Sequence, residues 1–130
     1  MEQRMTLITL GVADLQVSAS FYGNILGWKR SPMSSENIVF FELNGIFLSL
    51  YNREALADDA TVDAAGSGFK GFTLAHNLGS EAEVDNLINE LRSKGVTIVK
   101  EPQKVFWGGY SSYFADPDDN LWEVAYNPFL

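Results

Sequence analysis

Apolar residues recur along this chain in two rhythms. One repeats every three to four residues and predicts helices; the other alternates or runs continuously over five to eight residues and predicts strands. Leu15, Ala19, Tyr22 and Leu26 fall on one helical face between Asp14, a good N-cap, and Gly27, a helix stop. Val84, Leu87, Ile88 and Leu91 form a second stripe, opened by the Ser80/Glu83 capping pair and closed by Arg92, Lys94 and Gly95. Strands are predicted over 7–12, 38–43, 46–51, 69–75, 96–99, 110–114 and 121–126, all rich in β-branched and aromatic residues. A short strand around Trp28 to Arg30 would bring the number to eight. Asn44-Gly45 is a two-residue hairpin signal, and Asp116-Pro117-Asp118-Asp119-Asn120 reads as a longer turn.

The order is strand, helix, three strands, a connector, then strand, helix, three strands. This is an internal repeat of a βαβββ module. Leu7-Ile8-Thr9-Leu10 lies over Gly71-Phe72-Thr73-Leu74, Gly27 over Gly95, and Asn44 to Asn52 over Asp119 to Asn127. An α+β fold follows, one domain over 1–130: module one at about 1–52, an acidic Ala/Gly-rich connector at 53–68 with one helical turn, and module two at about 69–130.

Composition narrows the function classes. With 130 residues and 46% hydrophobic content, the chain suits one soluble domain with a real core. A net charge of −8 with only nine scattered Lys and Arg argues against nucleic acid. No apolar run reaches the roughly 18 residues of a membrane span, and the first residues lack the order of a secretory signal. The expected address is therefore cytoplasmic, with no membrane partner. The absence of cysteine removes disulfides, thiolate nucleophiles and Cys-based metal sites.

Two motifs carry a family resemblance. VADLQVSASFYGNILGW (12–28) resembles the opening of glyoxalase/bleomycin-resistance proteins of the vicinal oxygen chelate superfamily, where Val-x-Asp-Leu precedes a helix bearing Phe-Tyr and ending in Leu-Gly. YFADPDDNLWEV (113–124) resembles their closing hairpin, with Asp119 where glycine is usual. The resemblance spans nearly the whole chain. It implies two βαβββ modules forming curved mixed sheets around a concave pocket that takes a small molecule, and a homodimer. Metal-dependent relatives take one His or Glu ligand from the first and last strand of each module, and use the metal in isomerase, lyase or dioxygenase chemistry.

Carried onto this sequence, the four ligand positions fall at Leu7, Leu48, Gly71 and Glu123. Only Glu123 can donate a lone pair, and one carboxylate holds a divalent ion poorly. No metal cofactor is expected. His76, the only histidine, lies at odd offset from Gly71, so a regular strand turns it to the other face and a surface role is expected. Glu123 should share a face with Leu121 and Ala125. There it would act as a general base or ligand acceptor of raised pKa, or as a structural carboxylate bonded to a nearby Tyr or Arg. Trp107, Tyr110, Tyr113 and Tyr51, together with Leu7 and Leu48, are the candidate ligand contacts, since flat rings with polar edges suit a planar or amphipathic molecule; the bland reading of such aromatics is core. Trp122 is expected beneath the helices.

The expected function is binding of a small organic molecule without the usual metal. The alternatives are a metal-free enzyme using Glu123 as general base, and a metal-dependent lyase, isomerase or dioxygenase of the superfamily. Sequence alone leaves open whether the protein is an enzyme.

Overall fold

A computed structural model describes residues 1–130. It divides into two compact units, Met1–Ser67 and Gly68–Leu130. No helix is long and apolar enough to cross a membrane.

In the first unit β1 (Leu7–Val12) runs into α1 (Leu15–Ser20), β2 (Ile38–Glu42), β3 (Phe47–Asn52) and α2 (Arg53–Asp59). The Asp14 carboxylate accepts from the Gln16 and Val17 amides at 3.0 and 3.1 Å and so fixes where α1 begins. The helix then widens into a π turn over Phe21–Ile25, where the consecutive aromatics Phe21 and Tyr22 are both buried and meet edge-to-face at 5.2 Å. Gly27, at φ +77°, ends it.

The sheet order is β1-β3-β2, with β1 parallel and β2 antiparallel to β3. Gly45, at φ +96°, turns the β2–β3 hairpin. Cross-strand partners share a face. Val39 and Phe41 therefore stand with Leu50 and Leu48, and Leu10 and Val12 join them as buried core. Tyr22 and Trp28 lie 6.0 and 5.9 Å from the Phe41 ring, which marks this as the helix-covered face. Two expectations change here. The strand around Trp28 to Arg30 is reduced to a single bridge from Arg30 to Phe41, so the sheet has three strands. The start of the connector is α2, which packs on β1 and β3 as part of this unit. The Asn52 side chain caps it through the Ala55 amide.

In the second unit β4 (Leu74–Leu78), α3 (Glu81–Ser93), β5 (Thr97–Lys104), β6 (Tyr110–Ala115) and β7 (Leu121–Tyr126) form a sheet of order β4-β7-β6-β5. Only β4 and β7 run parallel, because α3 supplies the crossover that parallel strands require. Ser80 accepts from the Glu83 amide, as its spacing predicts, and Val84, Ile88 and Leu91 are buried. β4 begins later than the expected 69–75. Gly71 takes φ +84° outside the strand, and a left-handed residue interrupts a ladder. β5 extends beyond 96–99 through Pro102. That is tolerated because β5 is an edge strand whose register shifts twice against β6. Phe114 and Trp122 stack in parallel at 6.2 Å on the α3 side, which places Trp122 in the core as expected.

Candidate functional site

Each sheet has one face covered by the helix that follows its first strand and one turned away from that helix, and strand alternation decides which side chains reach the second face. In the second unit that face carries Glu123. Its cross-strand partners are Tyr113 on β6 and Ala75 on β4, and Tyr113 in turn pairs with Lys100 on β5. One row across four strands thus reads Lys100, Tyr113, Glu123, Ala75. The Ser111 hydroxyl, one pleat along β6, donates to Glu123 Oε2 at 2.7 Å. Lys100 Nζ sits 5.7 Å from the Tyr113 ring centre, within range of a cation–π contact.

Tyr113 is held protonated. Burial raises its pKa above 10.0, the charge of Glu123 raises it further, a hydrogen bond from Thr73 opposes this, and a hydrogen bond to Glu123 reinforces it. Tyr110 is also shifted upward, by a different partner. Its hydroxyl donates to Asp85 Oδ1 of α3 at 2.8 Å, with burial and the charges of Asp85 and Glu81 adding to the effect. Both phenols ionise later in the folded chain than in the unfolded one. Their contribution to stability is therefore complete below about pH 10 and declines as pH rises above it. We expect the melting temperature to fall above pH 10 and to fall less steeply in Tyr113→Phe and Tyr110→Phe. Absorbance titration at alkaline pH should lose one late-ionising phenol in each variant. An unchanged titration curve in either variant contradicts the assignment.

The partnership of Tyr110 with Asp85 also corrects its expected role. Tyr110 and Tyr113 are three residues apart on one strand and so point to opposite faces. Tyr110 faces α3 and Tyr113 faces Glu123. Leu48 is displaced for the same reason. It is 1% exposed, pairs with Phe41 and belongs to the helix-covered core. The residue of β3 that matches Glu123 is Ser49. Ser49 pairs with Thr9, and their hydroxyls meet at 2.6 Å. Leu7, 38% exposed, and Tyr51 share that face with Ser49, as do Phe40 and Phe47, whose rings meet edge-to-face at 6.4 Å.

The match of the first strands moves too. Leu7 pairs with Phe47 in β3; extending the β4–β7 register by one residue sets Thr73, not Gly71, beside Leu121. The positions that the resemblance assigns to metal ligands are thus Leu7 and Ser49 in the first unit, and Thr73 and Glu123 in the second. A leucine, two hydroxyls and one carboxylate do not make a divalent-metal donor set, and Ser49 and Thr73 already bond to protein neighbours. No group of three or more His, Cys, Asp or Glu that could hold a metal ion occurs. His76 pairs with Val124 and lies on the α3 side of the sheet, exposed, away from Glu123.

Trp107 occupies the turn between β5 and β6, 36% exposed. Its ring lies over Gly109, where a Cβ would come within 1.8 Å of the indole, so a side chain at 109 would have to displace the ring. Lys100, Ser111 and Thr73 are the residues of this face that the sequence reading passed over. Ser111 was accessible by alternation, two residues from Tyr113. Lys100 was hidden by the register shifts of β5, and Thr73 by the two-residue slip in aligning the modules.

Comparison with known proteins agrees with this architecture. Residues 4–124 match the family model of the Glyoxalase/Bleomycin resistance protein/Dioxygenase superfamily. A glyoxalase-related enzyme from Fulvimarina pelagi superimposes with a TM-score of 0.87 at 35% identity, over 98% of this chain and 90% of that one. A glyoxalase/bleomycin resistance protein/dioxygenase from Nocardioides gives 0.81 at 26%, over 97% and 84%. The metallothiol transferase FosB of Lysinibacillus sphaericus (strain C3-41) is 27% identical over 122 residues, 93% of this chain and 80% of that protein. The chain belongs to the Glyoxalase/Bleomycin resistance protein/Dioxygenase superfamily.

Proposed function

We propose that this protein binds a small organic molecule on the face of the second sheet that carries Glu123, and that it does so without the metal of its metal-dependent relatives. The observation that carries the reading is the Glu123 cluster. A half-buried carboxylate is held by Ser111 and flanked by the Tyr113 phenol, while the other positions that the resemblance assigns to metal ligands carry Leu7, Ser49 and Thr73. A carboxylate offers about four lone-pair sites. Ser111 and Tyr113 leave room for a donor on the ligand.

The same geometry supports a second reading. Glu123 could take a proton from a bound carbonyl compound, with Tyr113 donating a hydrogen bond to the developing oxyanion.

Metal loading tests the first reading. After stripping, incubation with nickel, zinc, manganese or ferrous iron and desalting, less than about 0.1 equivalent of each ion should remain. Fragments with a hydroxyl or amine should bind the stripped protein, detected by saturation-transfer NMR. Glu123→Gln should weaken that binding at an unchanged melting temperature, since an amide oxygen still accepts from Ser111. Near one equivalent of any ion, or binding only once an ion is supplied, overturns the metal-free reading and turns attention to the metallothiol chemistry named for the Lysinibacillus relative. Turnover lost in Glu123→Gln with binding retained selects the enzyme over the binding protein.

A further inference from the structure

The row across the second sheet also carries charge information, and the inference drawn from it rests on the reading of this face as a ligand site. Lys100 forms no ion pair. The salt bridges of the protein join Arg4 to Glu2, Arg92 to Glu101 and Lys94 to Glu90, and the Lys100 ammonium lies over the face of Tyr113. That ammonium is a strong donor, with three N–H groups and no acceptor. Two strands away on the same face stands Glu123, a carboxylate that accepts from the hydroxyls of Ser111 and Tyr113. Neighbouring strands lie about 4.8 Å apart, so the two backbone positions are separated by about 10 Å. Tyr113 lies between them, and Ala75 leaves the far side of Glu123 without a large side chain.

A cation, a flat ring and a carboxylate in line are complementary to a molecule of the opposite order. We infer that the ligand is a small bifunctional molecule. Its anionic group, a carboxylate or phosphate, meets Lys100; a flat or apolar body lies along Tyr113; a hydroxyl or ammonium donates to Glu123. Neutral hydrocarbons use only the middle of the row. A dianion meets Glu123 with like charge and is rejected at that end. The selectivity is therefore set by which end of the molecule is charged, and on a chain of net charge −8 the Lys100 ammonium is the determinant of anion position on this face.

Three probes read the two ends separately: 4-hydroxybenzoate, its methyl ester, which lacks the charge, and benzoate, which lacks the donor. Dissociation constants come from NMR titration of the metal-stripped chain. On the unmodified protein the acid should bind about tenfold more tightly than the ester, and more tightly than benzoate, as expected of a charge-assisted hydrogen bond. Lys100→Met keeps the length and apolar stem of the side chain, and should bring the acid and the ester to within about twofold of each other. Glu123→Gln should narrow the gap between 4-hydroxybenzoate and benzoate while leaving the acid's advantage over the ester. Added salt on the unmodified chain should weaken the acid but not the ester, an outcome that does not depend on how the variants fold. Acid and ester binding equally, or an advantage for the acid that survives in Lys100→Met, overturns the bifunctional ligand while leaving the binding face standing. Failure of all three probes to perturb residues on this face overturns the binding face and, with it, this inference.

Discussion

Replacing Phe41 by alanine is expected to destabilise the protein by about 4 kcal/mol, among the larger single-residue effects a core can show. Phe41 is 1% exposed, and its ring touches the two aromatics that anchor the first helix to the sheet. Tyr22 lies 6.0 Å away at 45° and Trp28 lies 5.9 Å away at 70°. Across the hairpin it stands beside Leu48, itself sealed in the core. Alanine would leave a cavity walled by two rings that cannot bend inward and by a central strand that cannot shift without breaking ladders on both sides. Collapse is therefore poor and the cavity contribution large. A melting temperature lower by about 15 °C should follow for a chain of this size, and denaturation by urea, followed by tryptophan emission because Trp28 is in contact, gives the free energy directly. Phe40 provides the control. It is the next residue, turned to the other face and only half-buried, and Phe40→Ala should cost less than half as much. Equal losses for the two variants would mean that the assignment of faces in this sheet is wrong.

That assignment of faces is also where the sequence was easiest to misread. Element types were legible because each signal has a local cause. The Asp14 and Ser80 caps, the glycine stops and the Asn44-Gly45 turn act within a few residues of themselves and stand where the pattern put them. Faces are less local, since a slip of one residue turns every side chain over. Matching the modules by their turns and aromatics set Leu48 over Glu123, whereas burial sets Leu48 and Leu50 with Trp122 and Val124 and leaves Ser49 to match Glu123. Tyr110 and Tyr113 were grouped for their chemistry, although a spacing of three on a strand separates them. The rule of alternation, applied strictly, would have kept Tyr113 with Ser111 and sent Tyr110 to the helix. Other features were not legible at all. The register shifts in β5 that bring Lys100 beside Tyr113, and the late start of β4 after Gly71, depend on pairing partners far along the chain. The expectation that no metal is held rests on side-chain chemistry in either alignment, since Ser49 and Thr73 are as poor donors to a divalent ion as Leu48 and Gly71.

Asp116→Ala should be nearly as damaging as Phe41→Ala, by a polar route, and it should reach the Glu123 face as well. Asp116 is buried at the end of β6 and organises the whole turn into β7. Its Oδ1 accepts from the amides of Asp118 and Asn120 at 2.9 and 2.8 Å, and its Oδ2 accepts from the Asn120 side chain at 2.8 Å. Its own amide donates to the Asn120 carbonyl at 3.0 Å, and its carbonyl accepts from the Asp119 amide at 3.1 Å. The turn also holds Asp119 at φ +61°, a left-handed conformation that aspartate tolerates better than most residues. Alanine keeps the backbone bonds and removes all three side-chain acceptor contacts, leaving the Asn120 amide and side chain buried with unmet donors. Hydrogen bonds to a charged group contribute about 1.5–3 kcal/mol each, and abandoned donors add their desolvation; allowing for water reaching the Asp118 amide, a loss of about 3 kcal/mol is expected. Asp116→Asn is the informative companion, since its oxygen can still serve the two amides while its NH₂ meets that of Asn120, and it should lose about half as much. The functional consequence follows from position. Glu123 is three residues past the end of this turn, and its pairing with Tyr113 and its bond to Ser111 both require the β6–β7 register that the turn sets. In Asp116→Ala, the amides of β7 should exchange with solvent faster than those of β5, and probe binding at Glu123 should weaken at temperatures well below the melting transition. Full stability and full protection of β7 in that variant would show that the strands themselves, not the aspartate, hold the register.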